Sequence, residues 1–182
     1  MQNNNIIKTI TLGGGCFWCT EAIFDSLKGV LSVKAGYAGG DIPHPTYEDI
    51  CTGTTNHAEV IQIEYNAEHV SLEILLTIFF DTHNPTTLNR QGADVGTQYR
   101  SVVFYHNEDQ KDKTIAFIKE LTDTHVFEDT IVTEVTEINN YYPAEDYHQN
   151  YYENNKNKGY CRMVINPKMK KLKEKYSTLL KD

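Results

Sequence analysis

The run I-I-K-T-I-T-L from Ile6 to Leu12 is closed by Gly13, Gly14 and Gly15 and followed at once by Cys16, Phe17, Trp18 and Cys19. Successive β-branched and apolar residues favour a strand, and three glycines allow a reversal that side chains would forbid. From Cys16 a helix runs to about Leu27, with Ile23 and Leu27 one turn apart, and Lys28-Gly29 supplies the stop. A strand that feeds a helix through so tight a turn must be completed by further strands beside the first.

Those strands can be read in order. Val30 to Gly36 fits a second strand, and His57 to Tyr65 alternates as a third. Ser71 caps a helix to Asp81 whose inner face carries Leu72, Leu75, Leu76, Phe79 and Phe80. Tyr99 to Tyr105 reads as the fourth strand, so the order is βαββαβ, the ferredoxin-like plait of an α+β, two-layer sandwich. A helix from Glu108 to about Thr122 and an extra strand from Ile131 to Glu137 follow. A Tyr/Asn-rich stretch, Tyr141 to Tyr160, reads as part helix and part loop. In the long C-terminal extension Leu172, Tyr176, Leu179 and Leu180 form one helical stripe whose lysines face solvent. Between the second and third strands, G-Y-A-G-G-D-I-P-H-P-T-Y-E-D-I-C-T-G is too punctuated for a hairpin. It reads as a functional loop with a short helix at Tyr47 to Cys51.

With 182 residues, 40% of them hydrophobic, residues 1–182 are expected to form a single catalytic domain. The net charge of −8 repels phosphate backbones, which argues against nucleic acid as a partner. The first ten residues lack a charged region followed by an apolar run, and no segment reaches the ~18 apolar residues of a membrane span. The expectation is a soluble, cytoplasmic monomer without membrane contact. Four cysteines are too few to staple a chain of this size, so each is weighed as catalytic, metal-binding or packed.

Cys16 lies where a glycine turn meets the first turn of a helix. There the helix dipole and free backbone N–H groups favour a thiolate, and its pKa is expected to fall. Phe17 and Trp18 would fill the core or form an apolar wall for a small methyl-bearing group. Glu59 is in phase with Ile61, Ile63 and Tyr65, so its carboxyl is expected among apolar side chains, protonated near neutrality and able to act as a general acid. Tyr47, and Tyr99 at the start of the fourth strand, could add phenol donors. A reactive thiol, an acid and phenols together suit an electrophile whose oxygen is protonated as its sulfur is attacked.

These residues stand in G-C-F-W (Gly15 to Trp18), G-Y-A-G-G (Gly36 to Gly40), P-T-Y (Pro45 to Tyr47), H-A-E (His57 to Glu59), R-Q-G-A-D-V-G-T-Q-Y-R-S (Arg90 to Ser101), A-E-D-Y-H-Q (Ala144 to Gln149) and G-Y-C (Gly159 to Cys161). In that order they resemble the peptide methionine sulfoxide reductases of the A type. The resemblance implies that Cys16 attacks the sulfoxide sulfur while Glu59, Tyr47 and Tyr99 protonate and bind the oxygen. Asp94 would hold a water and the substrate amide, and Phe17 and Trp18 would receive the ε-methyl. It also implies a sulfenic acid on Cys16, a disulfide recycled by thioredoxin, S-epimer specificity for free or protein-bound methionine sulfoxide, and no metal or organic cofactor. Two departures stand out: the family commonly has Gly where this chain has Cys19, and no Cys follows Cys161. Cys161 is the first candidate for the resolving thiol and Cys19, within C-x-x-C reach, the second; Cys51 is expected to be a packed, passive thiol.

Two other classes fit parts of the pattern. A thioredoxin-like dithiol exchanger also starts a helix with C-x-x-C but needs neither Glu59 in a core phase nor the Arg90–Ser101 stretch. A structural zinc module could recruit all four cysteines, yet C-x-x-C occurs once and encloses bulky aromatics.

Overall fold

The structure, a computed structural model, describes residues 6–182. The opening run forms β1 (Ile7–Gly14), and α1 (Phe17–Asp25) follows directly after the glycine turn. Next come β2 (Val30–Ala38), the short α2 (Tyr47–Cys51), β3 (Ala58–Asn66) and α3 (Leu72–Thr82). A small hairpin of β4 (Arg90–Gln91) and β5 (Asp94–Val95) precedes β6 (Ser101–Tyr105), α4 (Glu108–Asp123), β7 (Glu134–Glu137) and β8 (Tyr141–Pro143). The chain ends with α5 (Tyr151–Asn154) and α6 (Asn166–Tyr176).

The six-stranded sheet has the order β7-β6-β1-β3-β2-β8. Its inner four strands, β6-β1-β3-β2, are all antiparallel neighbours in the order of the expected plait. β1 and β2 are therefore parallel with β3 between them, and α1 is the crossover that links them. Ile61, Ile63 and Tyr65 of β3 are buried in one cluster with Ile23 and Phe24 of α1 and Leu75, Leu76 and Phe79 of α3. Burying each such side chain stabilises the fold by about 1.5–3 kcal/mol, so the pattern that specifies the sheet also holds the helices to it. Ser71 caps α3 as its sequence suggests, accepting the Ile74 N–H at 3.2 Å.

Four local features depart from the sequence reading. The fourth strand of the plait, β6, starts at Ser101, because Thr97–Tyr99 close a 3-10 turn with the Tyr99 N–H on the Gly96 carbonyl at 3.0 Å. Tyr99 thus sits on a turn, not at a strand start. The extra strand begins at Glu134 and pairs parallel to β6. Within the Tyr/Asn-rich stretch, Tyr141–Pro143 add an edge strand to β2, an outer position where proline is tolerated. Finally, α6 ends at Tyr176, and Leu180 is buried not as part of a helical stripe but by a β-bridge to Leu27. Among the described residues no helix is long and apolar enough to cross a membrane.

Candidate active site

The C-terminal end of β1 delivers Cys16. Gly15 has φ +99°, and a Cβ there would come within 2.7 Å of the Gln91 side chain, so this turn requires glycine. Gln91 is fixed in turn by hydrogen bonds in both directions with the Asn84 backbone, each 3.0 Å. Cys16 is the N-cap of α1, with extended dihedrals, and its carbonyl accepts the Cys19 N–H at 3.1 Å. Its side chain is half-buried.

Cys19 is 3% exposed, one helical turn on, with its sulfur 3.6 Å from the Tyr160 hydroxyl. The ionisation of each thiol depends on that of the other. The Cys16 thiol holds Cys19 at a pKa of about 7, assisted by the Lys168 charge and the Tyr160 hydroxyl against the cost of burial. The pKa of Cys16 itself is pushed well up, first by the neighbouring Cys19 and then by burial. The expectation of a lowered Cys16 pKa is therefore overturned. The helix N-terminus is present, but a second sulfur one turn away and burial both work against a charge on Cys16.

Glu59 stands on β3 opposite Tyr37 of β2 and is 2% exposed. Burial raises its pKa well above the ordinary carboxylate value, and the Asp94 and Cys19 charges push the same way. Its Oε2 has no hydrogen-bond partner among the described residues. Such an oxygen is tolerated far more readily on a neutral acid than on a carboxylate.

Tyr47 occupies the first turn of α2, fixed by a capping box in which Thr46 accepts the Asp49 N–H at 3.2 Å while Asp49 accepts the Thr46 N–H at 2.8 Å. Glu145 also accepts the Tyr47 N–H, at 3.1 Å, and the Tyr37 hydroxyl, at 3.0 Å. The phenols of Tyr47 and Tyr99 both stay protonated, chiefly through burial. Asp94, on the β5 side of the hairpin, is half-buried, and burial raises its pKa against the opposing Lys168 charge. Glu59, Tyr47, Tyr99, Asp94 and Cys16 are thus gathered close enough to shift one another's ionisation.

The two aromatics after Cys16 separate. Phe17 is 0% exposed, packed against Tyr37 and His148. Trp18 is half-buried, stacked on Tyr151 with centroids 3.7 Å apart and planes 7° apart, and its indole N–H donates to His148 Nδ1 at 3.0 Å. With Nδ1 accepting, neutral His148 carries its proton on Nε2, a buried atom with no partner among the described residues. His148 also packs against Tyr47, centroids 4.4 Å apart with the ring planes tilted by 60°, and so ties the two sides of the site together. Sequence reasoning assigned no role to His148, Tyr151, Tyr160 or Glu145. Two of the motifs quoted above, A-E-D-Y-H-Q and G-Y-C, contain His148, Glu145 and Tyr160, and would have drawn attention to them.

Cys161 is fully buried in one cluster with Cys19 and Ile165, against which Cys16, Trp18, Tyr151 and Tyr160 pack. Burial raises its pKa, followed by the charge of Cys19. It opens a π-helical turn, Cys161–Ile165, a helix form that appears often at functional positions. Cys51 is exposed at the end of α2, so the expectation of a packed thiol fails there. Among the described residues no three His, Cys, Asp or Glu side chains are grouped as a metal site would require.

Comparison with known proteins decides what this constellation belongs to. The family pattern described as peptide methionine sulfoxide reductase matches residues 8–180. The chain belongs to the peptide methionine sulfoxide reductase family. It is 54% identical over 170 residues to the peptide methionine sulfoxide reductase MsrA of Acinetobacter baumannii strain SDF, covering 93% of this chain and 96% of the relative. It is 53% identical over 165 residues to the MsrA of Saccharolobus solfataricus, with 91% and 92% covered. Among solved structures, methionine sulfoxide reductase A of Corynebacterium diphtheriae superposes with a TM-score of 0.79 at 33% identity, covering 85% of this chain and 78% of that one. Reduced Mxr1 of Saccharomyces cerevisiae gives 0.78 at 36% identity, with 88% and 92% covered. Mxr1 in complex with Trx2 gives 0.56 at 26% identity, with 83% and 88% covered. The chain is thus an oxidoreductase, a methionine sulfoxide reductase of the MsrA kind, and the dithiol-exchanger and zinc readings give way.

Proposed function

We propose that the chain reduces the S epimer of methionine sulfoxide, free or within proteins, through a sulfenic acid on Cys16, and that thioredoxin recycles it. The reading rests on the meeting of a half-buried sulfur at the start of α1 with the buried, protonated acid Glu59. As the Cys16 sulfur bonds to the sulfoxide sulfur, the oxygen takes the Glu59 proton, with the Tyr47 and Tyr99 hydroxyls donating to it. The oxygen then passes to Cys16, methionine leaves as a thioether, and Cys16 is left as a sulfenic acid. Binding of a neutral substrate does not require a resting Cys16 thiolate. A proton leaving Cys16 can pass to the neighbouring Cys19 thiolate, whose pKa is about 7.

Asp94 would hold a water and the substrate amide, and Trp18, with the edge of Phe17, would take the ε-methyl. With sulfur, oxygen and methyl each given a fixed neighbour, a pyramidal sulfur is accepted in one hand only; the S hand is what the family resemblance implies. A second thiol condenses with the sulfenic acid, releasing water and forming a disulfide. We assign this step to Cys161. A second reading assigns it to Cys19, favoured by its place one helical turn from Cys16, with its N–H on the Cys16 carbonyl. Two electrons and two protons from reduced thioredoxin restore the thiols, a role supported by the complex of yeast Mxr1 with Trx2.

The test is to supply each sulfoxide epimer with dithiothreitol and measure methionine, then map the disulfide in wild type, Cys19→Ser and Cys161→Ser. Turnover of the S epimer alone is expected. Equal turnover of both epimers, or undiminished activity in Cys16→Ser, would defeat the proposal.

A further inference from the structure

The charges of this chain are segregated. Nine of its 17 Lys and Arg, but one of its 25 Asp and Glu, lie between Lys156 and Lys181, so the rest of the chain holds eight basic side chains against 24 acidic ones. That segment contains Cys161 and α6. Lys158, Arg162, Lys171 and Lys173 are exposed and Lys168 is half-buried, and none of the five has a salt-bridge partner among the described residues. Cations that only solvated a surface would have no need to gather here. Met163, directly beside Arg162 and two residues after the buried Cys161, is 80% exposed. An exposed apolar side chain beside an unpaired cation, in a basic segment that also holds a buried thiol, has the composition of a recognition surface: an anchor with a charged rim.

We propose that Lys158, Arg162, Met163 and the unpaired lysines of α6, Lys168, Lys171 and Lys173, form the docking face for the protein reductant, and that this face takes a dithiol protein whose reactive site is an apolar patch rimmed by acidic side chains. The proposal rests on the thioredoxin-recycling reading above and adds where, and by what chemistry, the reductant is received. The charge balance selects the partner's sign. A molecule of net charge −8 repels an acidic protein overall, and the Lys156–Lys181 segment, with nine basic residues to one acidic, is where that repulsion is least, so the encounter is favoured toward the exposed neighbours of Cys161. Cys19 lies within the field of the same face, through Lys168. The face therefore serves whichever of the two thiols shares the disulfide with Cys16.

The experiment compares recycling by thioredoxin, with its reductase and NADPH, against recycling by dithiothreitol, across a sodium chloride series. For wild type, the KM for thioredoxin should rise steadily with salt while dithiothreitol-driven turnover stays level. In K158E/R162E the KM for thioredoxin should rise roughly tenfold at low salt and lose its salt dependence, with dithiothreitol-driven turnover unchanged. M163S should raise it without altering the salt slope, and K111E/K119E, which reverses two lysines of α4, should do neither. If K158E/R162E keeps the wild-type KM, or if the wild-type KM ignores salt, the docking face is refuted while the reductase reading stands. If wild type turns over with dithiothreitol but not with thioredoxin, the recycling reading fails and takes this proposal with it. Should K158E/R162E fold poorly, the R162Q variant and the wild-type salt series separate the same two outcomes.

Discussion

Replacing Glu59 by Gln should move activity and stability in opposite directions. The amide keeps the shape and a hydrogen-bond donor but has no proton to give. Loss of a positioned general acid lowers a rate by about 10²–10⁴, and because Gln and the two phenols can still donate hydrogen bonds, a fall near the lower end, about 10²-fold, is expected. The readout is a single turnover: methionine formed from methionine sulfoxide without external reductant, by rapid quench, at neutral pH. Stability behaves otherwise. The folded pKa of Glu59 lies well above the unfolded value of 4.5 because the side chain is buried. The stability this lends is complete below 4.5 and is lost as pH rises toward the folded pKa, at about 1.4 kcal/mol per pH unit. Glu59→Gln does not titrate, so it should gain stability relative to wild type in urea unfolding as pH rises above 4.5. A variant that reduces sulfoxide at the wild-type rate, or whose relative stability does not change with pH, would refute the assignment of a buried neutral acid.

Other expectations follow from the thiols and their supports. Cys19→Ala removes the sulfur that holds the Cys16 proton, so thiolate absorbance at 240 nm should place the Cys16 titration below its wild-type position; no shift would mean the two sulfurs are not coupled. Glu21 is buried, with one oxygen accepting the Tyr151 N–H at 3.2 Å, and burial raises its pKa to about 7. The stability it lends is complete below 4.5 and gone above about 7. The melting temperature of Glu21→Gln should thus overtake wild type across that window and run parallel beyond it. His148→Ala leaves the indole N–H of Trp18 without its acceptor. At about 1 kcal/mol for a lost neutral hydrogen bond, kcat/KM should fall about fivefold, with a shift in the emission of the chain's one tryptophan.

The sequence revealed most where a short-range pattern has a single physical meaning. β-Branched residues ending at three glycines could only be a strand before a turn, and β1, Gly15 and Cys16 stand as that pattern implies. Glu59 was legible because the two-residue period of β3 places it in phase with Ile61 and Ile63. The ionisation of Cys16 was not. It depends on Cys19 and on burial, and Cys19 in turn on Lys168 and Tyr160, which arrive from the other end of the chain, and no local pattern encodes such surroundings. Tyr141–Pro143 were illegible as a strand for a related reason. A three-residue edge has no period of its own and exists because β2 offers an unpaired side.

The bridge between Leu27 and Leu180, with the Lys28 N–H on the Leu179 carbonyl at 2.8 Å and the Lys181 N–H on the Ser26 carbonyl at 2.8 Å, sews the end of the chain to the far end of α1. Upstream, the Trp18–Tyr151 stack fastens the same stretch to the near end. Cys161 is thereby leashed on both sides to the helix that starts at Cys16. A leashed sulfhydryl searches a small volume, equivalent to a local concentration of about millimolar or more. In the proposed cycle, capture of an oxidised Cys16 from within the chain would then outrun scavenging by dilute small thiols, and irreversible overoxidation would have little time to occur.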